Sequence, residues 1–306
     1  MVANIAPVLV AVSGSSRKVL EAAAHICRKS KAEMEVFCVV RPPSGFGLTE
    51  AERHQLARSA AVSQLAGLER LVKPLRESGL SVNCRVSIDR SVTEGILDRI
   101  KQYQPGLVAI EAHKHNLLSR LLLSQTDYNL IRHCPVPLLI VKNSTRIKRS
   151  AVIAALDPSQ INDKPTSLDE EIITTARRLA QLLAGPLHSA HFYSPLVGYV
   201  GDAMFAPAAI PISLPEQKAY VARIRKHFRA FCARYRVPPR KMHLKMGDPA
   251  FQLPILARSL RARVVVMGAV SRGPVKRALI GSTAERVLDA MPCDILIVKP
   301  KEFRAT

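Results

Sequence analysis

Residues able to hold a phosphate group gather near the end of the sequence. An apolar run, Val264-Val265-Val266-Met267, closes on Gly268 and passes through Ala269-Val270 to Ser271, Arg272 and Gly273; Gly281, Ser282 and Thr283 follow after a second apolar stretch. The pattern predicts a buried parallel strand, a glycine-bearing loop and a new helix at Gly281-Ser282. Such a junction concentrates backbone N–H groups and the positive end of a helix dipole, which suits an anion of the phosphate type. Glycine matters there because a missing Cβ lets backbone approach a ligand closely. Each residue also has a purely structural use. Gly268 and Gly273 can serve a tight loop, Ser282 and Glu285 have capping-box spacing, and Asp157-Pro158 is an ordinary turn initiator.

The elements that must position this loop follow from periodicity. Short β-branched runs alternate with helical periods, the pattern of βαβ units around a parallel sheet. Strands are predicted at 8–13, 34–40, 81–88, 107–112 and 137–142, with helices at 17–30, 49–78, 92–103 and 125–133. The order then repeats, with strands at 151–156, 187–193, 241–246, 263–268 and 294–299 and helices at 168–183, 216–236, 249–261 and 282–291. Opening strands Val8–Ser13 and Val152–Asp157 match, as do closing strands Pro137–Lys142 and Asp294–Lys299. The chain therefore reads as an internal duplication, with domains at 1–146 and 147–306 joined by a polar linker at Asn143 to Arg149. The fold class is α/β: two tandem open-sheet domains of Rossmann-like type, each with five parallel strands. The helix at 216–236 carries Val221, Ile224, Phe228, Phe231 and Tyr235 on one face among arginines, and core packing is the expected role of that stripe.

Composition bounds the function. The 306 residues carry a formal charge of +21, with 22 Lys+Arg against 12 Asp+Glu in residues 1–150 and 23 against 12 in 151–306. The excess is spread evenly, as on solvated helix faces, yet it still draws nucleic acid, anionic lipid or nucleotide non-specifically. No apolar run approaches the roughly 20 residues of a membrane span, and the apolar start is expected to be a first strand rather than a signal peptide. Six scattered cysteines without a Cys-x2-Cys pair point to free thiols in a reducing cytoplasm.

The order of elements, the paired modules and the Gly-x2-Ser-x9-Gly-Ser loop together resemble a tandem-domain universal stress protein over essentially the whole chain. The close of the second half, Gly281 to Leu288 and Cys293 to Pro300, is highly typical of that family, and the length and weaker first half resemble its E-type tandem members in gammaproteobacteria. The resemblance implies a cytoplasmic protein of stress resistance, with ATP and Mg as possible ligands at the carboxyl ends of the strands. That location also follows from the rule for open α/β sheets. It further implies that Asp157 lies near ribose and metal, that Gly268 opens the phosphate loop, and that Gly281, Ser282 and Thr283 supply donors. Ser271 stands where nucleotide-binding relatives carry a second glycine; Arg272 and Gly273 keep the family pattern beyond it. In the first half Glu111, Lys114, Ser124 and Gln125 replace Gly268, Ser271, Gly281 and Ser282, and Ser13 replaces Asp157, so no nucleotide is expected there. Family members pair through their last strands, which a tandem chain can do within itself, and a further homodimer is open.

Two features stand apart from the loop. Residues 195–215 are apolar for a connection, and Leu196, Val197, Tyr199, Met204, Phe205 and Ile210 are expected to form a lid over a hydrophobic cleft or to meet another subunit. A lid would admit an apolar or acylated, lipid-like ligand. His113-Lys114-His115 has no third ligand at a fitting spacing, so no metal is expected there. Gly-x-Ser-x-Gly, His-Glu-x2-His and complete Gly-x4-Gly-Lys-Ser/Thr motifs are all absent, and at most slow ATP hydrolysis assisted by Asp157 is expected.

Overall fold

The computed structural model describes residues 5–13, 17–44, 47–112, 123–142, 151–158, 166–196, 198–200, 208–210, 212–269 and 280–300, with 198–200 and 208–210 as backbone. The first half runs β1 (Val8–Ala11), α1 (Arg17–Ser30), β2 (Met34–Val40), α2 (Glu50–Glu77), β3 (Val82–Ile88), α3 (Val92–Tyr103), β4 (Leu107–Glu111), α4 (Gln125–His133) and β5 (Leu138–Val141). The second runs β6 (Ala151–Ala155), α5 (Thr166–Leu182), β7 (Leu187–Tyr193), β8 (Gly198–Val200), β9 (Ala208–Ile210), α6 (Leu214–Arg234), β10 (Met242–Met246), α7 (Pro249–Ser259), β11 (Ala262–Gly268), α8 (Ser282–Ala290) and β12 (Asp294–Val298). A short 3-10 turn, Pro239–Lys241, precedes β10.

Both halves feed one ten-stranded sheet in the order β10-β7-β6-β11-β12-β5-β4-β1-β2-β3. Within this sheet every pairing inside a half is parallel, and the seam between halves, β12 against β5, is antiparallel with Leu296 opposite Leu139. Pairing of the last strands is thus satisfied within the chain. The central strands β1, β5 and β12 are buried along their whole length, as parallel strands with both faces covered must be. One face carries α1, α2, α5 and α6; the other carries α3, α4, α7 and α8.

Two lysines reinforce the seam from equivalent positions. Lys142, just past β5, donates its Nζ to the carbonyls of Leu288 and Asp289 at the end of α8. Lys299, just past β12, donates to the carbonyl of Arg132 at the end of α4, at 2.6 Å. Each half thereby offers a cation to the negative end of the other half's last helix. Burial lowers the pKa of both ammonium groups, to about 8 for Lys142 and about 7 for Lys299. A carboxylate ties the same corner: Asp294 accepts from the Lys142 backbone N–H at 2.9 Å and lies 3.6 Å from Arg263.

The aromatic stripe on α6 packs inward as expected. Ile224, Phe228 and Cys232 are buried, and Phe231 and Tyr235 lie against the same core. The connection after β7 contains β8 and β9, which pair antiparallel as a hairpin with Tyr199 opposite Ala209. β-branched and aromatic residues at its ends favour extended backbone. Tyr220 of α6 anchors its base by donating to the Ser194 carbonyl at 3.3 Å. Leu196 is half-buried beside that base, and Tyr199 and Ile210 lie on the paired strands. Val197, Met204, Phe205, the linker and the His113-Lys114-His115 stretch lie outside the described residues.

Candidate functional site

The carboxyl ends of the second-half strands bring the expected residues to one edge. Asp157 follows β6, Gly268 ends the neighbouring β11, and Gly281 caps α8. Ala269 and Ile280, on the two sides of the loop, are buried in one apolar cluster, so both loop ends are fixed to the same core. Ser271, Arg272 and Gly273 lie outside the described residues.

The start of α8 differs from the capping box that its sequence spacing predicts. Gly281 is the N-cap, with φ −69 and ψ 142, and no side chain caps the helix. The Glu285 N–H bonds the Gly281 carbonyl at 3.0 Å, which makes Glu285 the fourth helical residue. A box needs its acid at the third. The backbone N–H groups of Ser282, Thr283 and Ala284 therefore have no intrahelical acceptor and, among the described residues, no capping side chain, and the exposed Ser282 and Thr283 hydroxyls lie alongside them.

The equivalent end of α4 is closed. Ser124 accepts from the Asp127 N–H at 3.2 Å, and the Asp127 carboxylate accepts from the Ser124 N–H at 2.7 Å. Asp127 is buried there and already supplies the negative charge that the helix end favours. Glu111 occupies the place of Gly268, its carboxylate 4.0 Å from Lys18. The first-half counterpart of the phosphate loop thus carries two acidic groups of its own, and Ser13 stands where the second half has Asp157.

The two site glycines have different reasons. A Cβ on Gly268 would lie 2.8 Å from Leu168 Cδ2, so this glycine allows α5 to pack onto β11. A Cβ on Gly281 would meet nothing within 4 Å, and its backbone angles suit any residue. Among the described residues nothing stands over Gly281.

Residues not read from the sequence surround Asp157. Asp169, buried in the first turn of α5, accepts from the Asp157 N–H at 3.1 Å. His191 of β7 lies with Nδ1 3.0 Å from the Leu156 carbonyl and 3.8 Å from the Asp157 carboxylate. A carbonyl only accepts, so Nδ1 carries the proton. These partners come from the next strand and the next helix. Elsewhere, Arg286 holds α8 against α7 through Asp248 at 2.7 Å and the Phe251 ring at 5.4 Å.

Other reactive side chains are muted. All six cysteines are free thiols and five are buried. Burial pushes the Cys27 and Cys293 thiols up to about 12 and those of Cys134 and Cys232 to about 11, far from nucleophilic thiolates. His188 and His243, on neighbouring strands β7 and β10, share a 3.0 Å nitrogen–nitrogen contact. Among the described residues no three potential metal ligands cluster, and no helix is long and apolar enough to cross a membrane.

Comparison with known proteins agrees with this architecture. The chain is 27% identical over 263 residues to universal stress protein E of Salmonella typhi, covering 84% of this chain and 81% of that protein. A homologue from Haemophilus influenzae is 22% identical over 262 residues, covering 83% and 82%. Among solved structures, a functionally unknown protein from Pseudomonas aeruginosa PAO1 superposes with a TM-score of 0.75 at 24% identity, covering 98% of this chain and 95% of that one. A universal stress protein from Archaeoglobus fulgidus gives 0.67 at 17% identity, covering 95% and 98%. With the Universal stress protein family profile matching residues 4–142 and again 163–299, the chain belongs to that family and carries its domain twice.

Proposed function

We propose that the second half binds an ATP-type nucleotide at the carboxyl ends of β6 and β11, and that the protein acts in stress resistance as a cytoplasmic ligand-sensing member of its family rather than as an enzyme. The observation carrying this reading is that, among the described residues, nothing caps the start of α8 or stands over Gly281, whereas the start of α4 is sealed by its own box. An uncapped helix end beside a glycine with room above it is what a phosphate requires. In this reading the N–H groups of Ser282 and Thr283 and their hydroxyls hold phosphate oxygens, with Ser271, Arg272 and Gly273 completing the loop. The Asp157 carboxylate is of the oxygen type that a hard cation takes, and Asp169 holds the Asp157 backbone in place. Magnesium, when bound, would neutralise phosphate charge between nucleotide and carboxylate. Any hydrolysis is slow and depends on Asp157.

Native mass spectrometry with Mg-ATP tests the proposal, using Gly281→Val as the control. The backbone at Gly281 accepts valine, so the variant folds while its side chain fills the ligand space. A single ATP adduct on the parent that disappears in the variant supports the site. An adduct unaffected by Gly281→Val overturns it.

A second reading rests on the β8–β9 hairpin, whose ordered base above β7 suits a cover for an apolar or acylated ligand. A tightly retained acyl species in the same spectra, without ATP, favours that alternative. Salt-sensitive retention on DNA or RNA would instead assign the +21 charge to nucleic-acid association.

A further inference from the structure

The duplication provides an internal reference: where one copy departs from the other at an equivalent position, the departure needs its own cause. Such a departure lies at the amino ends of β7 and β10, at the opposite end of the sheet from Gly281. A groove of about 340 Å³ opens there, bounded by Arg177, Gln181 and Ala184 of the α5 end, Leu187, and Arg236 and Lys241 after α6. No acidic side chain lines it. Its volume falls within the range of small-molecule sites.

Equivalent positions follow from matching hydrogen bonds. Gly185 N–H to the Ala180 carbonyl repeats Ala32 to Cys27, and Val237 to Cys232 repeats Leu80 to Leu75. Arg177 therefore corresponds to Ala24, which is fully buried, and Arg236 corresponds to Gly79. Strand register sets Lys241 against Asn83. In the first half Val82 is buried at this corner and Arg28 spans it by donating to Ser78 at 3.2 Å, while Leu80 and its counterpart Val237 are buried in both copies. In the second half Pro238 and Pro239 with their 3-10 turn lead the chain to β10, and the corner stays open.

Arg236 has φ +50 where the matching Gly79 has φ +86, and Lys31, Gln104, Ala184 and Arg261 share this left-handed helix ending. The second copy therefore places an exposed arginine at the groove where the first has a glycine without a side chain. None of Arg177, Arg236 and Lys241 makes an ion pair among the described residues, while Glu170 on the same helix is engaged by Arg234 at 3.4 Å.

Helix ends at this corner oppose an anion only weakly. Two helix C-termini contribute about half a negative charge each, against three full cationic charges. The last-turn carbonyls of Ala180, Gln181, Cys232 and Ala233 already accept from the following backbone N–H groups. The net field in the groove is positive.

We propose that this groove binds a small multivalent anion of the phosphate class, with Arg177, Arg236 and Lys241 as its cationic contacts, separately from the site at α8. The reading is independent of nucleotide binding at Gly281. Its chemistry fits either a free oligophosphate or the phosphate chain of a nucleotide.

Calorimetric titration of the full chain with sodium tripolyphosphate tests it, performed in a Gly281→Val background so that α8 does not contribute. One equivalent is expected to bind, with affinity falling at least tenfold in Arg177→Gln/Arg236→Gly. Arg236→Gly installs the residue that the other copy carries at this backbone conformation, so its thermal stability is expected to stay equal or rise. Lost affinity with retained stability then reports the groove and not misfolding. ATP that still binds in the Gly281→Val background and is displaced by tripolyphosphate identifies the source as a nucleotide; binding of tripolyphosphate alone identifies a free oligophosphate. Unchanged affinity in the groove variant, or no binding in the Gly281→Val background, overturns the proposal. So does single-stranded DNA retention that falls in the groove variant while tripolyphosphate does not bind.

Discussion

Transplanting the first half's helix cap into the second half gives a test in which stability and ligand binding move in opposite directions. Gly281→Ser with Ala284→Asp recreates at α8 the Ser124–Asp127 box that seals α4. Serine in place of glycine at an N-cap is worth a few tenths of a kcal/mol. An acid in the first turn adds about 0.3–1 kcal/mol through the helix dipole, so the sum is about 1 kcal/mol. For a domain of this size that corresponds to a rise of roughly 2–4 °C in Tm. A phosphate at the same place would lose its backbone donors and face a carboxylate. Unit charges about 4 Å apart near a surface repel by about 4 kcal/mol before screening, and even a third of that is a tenfold loss of affinity. Scanning fluorimetry with and without Mg-ATP reads both effects. The parent is expected to gain up to about 2.7 kcal/mol at ligand concentrations a hundredfold above Kd; the capped variant starts higher and gains nothing. Persistence of the ATP-induced rise in the capped variant would show that phosphate does not sit on α8. A lower starting Tm would show that the helix start is not open as the geometry states.

Two further outcomes test other parts of the reasoning. Phe228→Ala removes a fully buried ring whose centroid lies 5.8 Å from that of His191. It should cost about 3–5 kcal/mol in denaturant unfolding and leave retention on nucleic acid unchanged; weakened retention in a stably folded variant would return the α6 stripe to an interaction role. The His188–His243 pair predicts acid sensitivity. Burial, with His243 and Lys241 nearby, lowers the pKa of His188 to about 4, and burial with Lys245 lowers that of His243. Unfolded chains bind these protons near pH 6.5 and the folded protein refuses them. The contribution is complete above about pH 6.5 and is lost as pH falls toward about 4. Tm measured across that window should fall less steeply in His188→Gln/His243→Gln, and parallel curves would refute the assignment.

The sheet was legible because its signals are local. Predicted strands at 34–40 and 187–193 coincide with β2 and β7, and predicted helices at 17–30, 92–103 and 125–133 coincide with α1, α3 and α4. Continuous apolar runs of four to seven residues between helical periods leave little choice but buried parallel strands. The start of α8 was legible only to within one residue, because Gly281 and Ser282 are both acceptable N-caps and the acid at Glu285 favoured the wrong one. Asp169 and His191 were not legible as neighbours of Asp157, since they reach it from other elements through the fold. The lysines at the seam escaped notice for the same reason. Lys142 and Lys299 read as the polar ends of strands, and only the antiparallel join of β5 and β12 carries each to the opposite helix.

Divergence between the copies falls at the two ends of the sheet and spares the middle. Strands β5 and β12 keep equivalent positions, equivalent burial and equivalent lysine contacts, because each is half of a single seam and neither can drift alone. At the carboxyl edge the first copy has filled its site from within: Glu111 replaces a glycine, and Asp127 satisfies the helix end that a ligand would otherwise meet. At the amino edge the first copy carries Ala24, Gly79 and Asn83 where the second carries Arg177, Arg236 and Lys241 around a groove. A helix end capped by its own side chain gains stability from that cap, whereas an exposed helix end and exposed cations are served by water and stay available to a ligand. Availability at both edges of the second copy, beside a first copy whose helix end is capped by Ser124 and Asp127, is what the two binding proposals share, and it is why both of their tests address the second half.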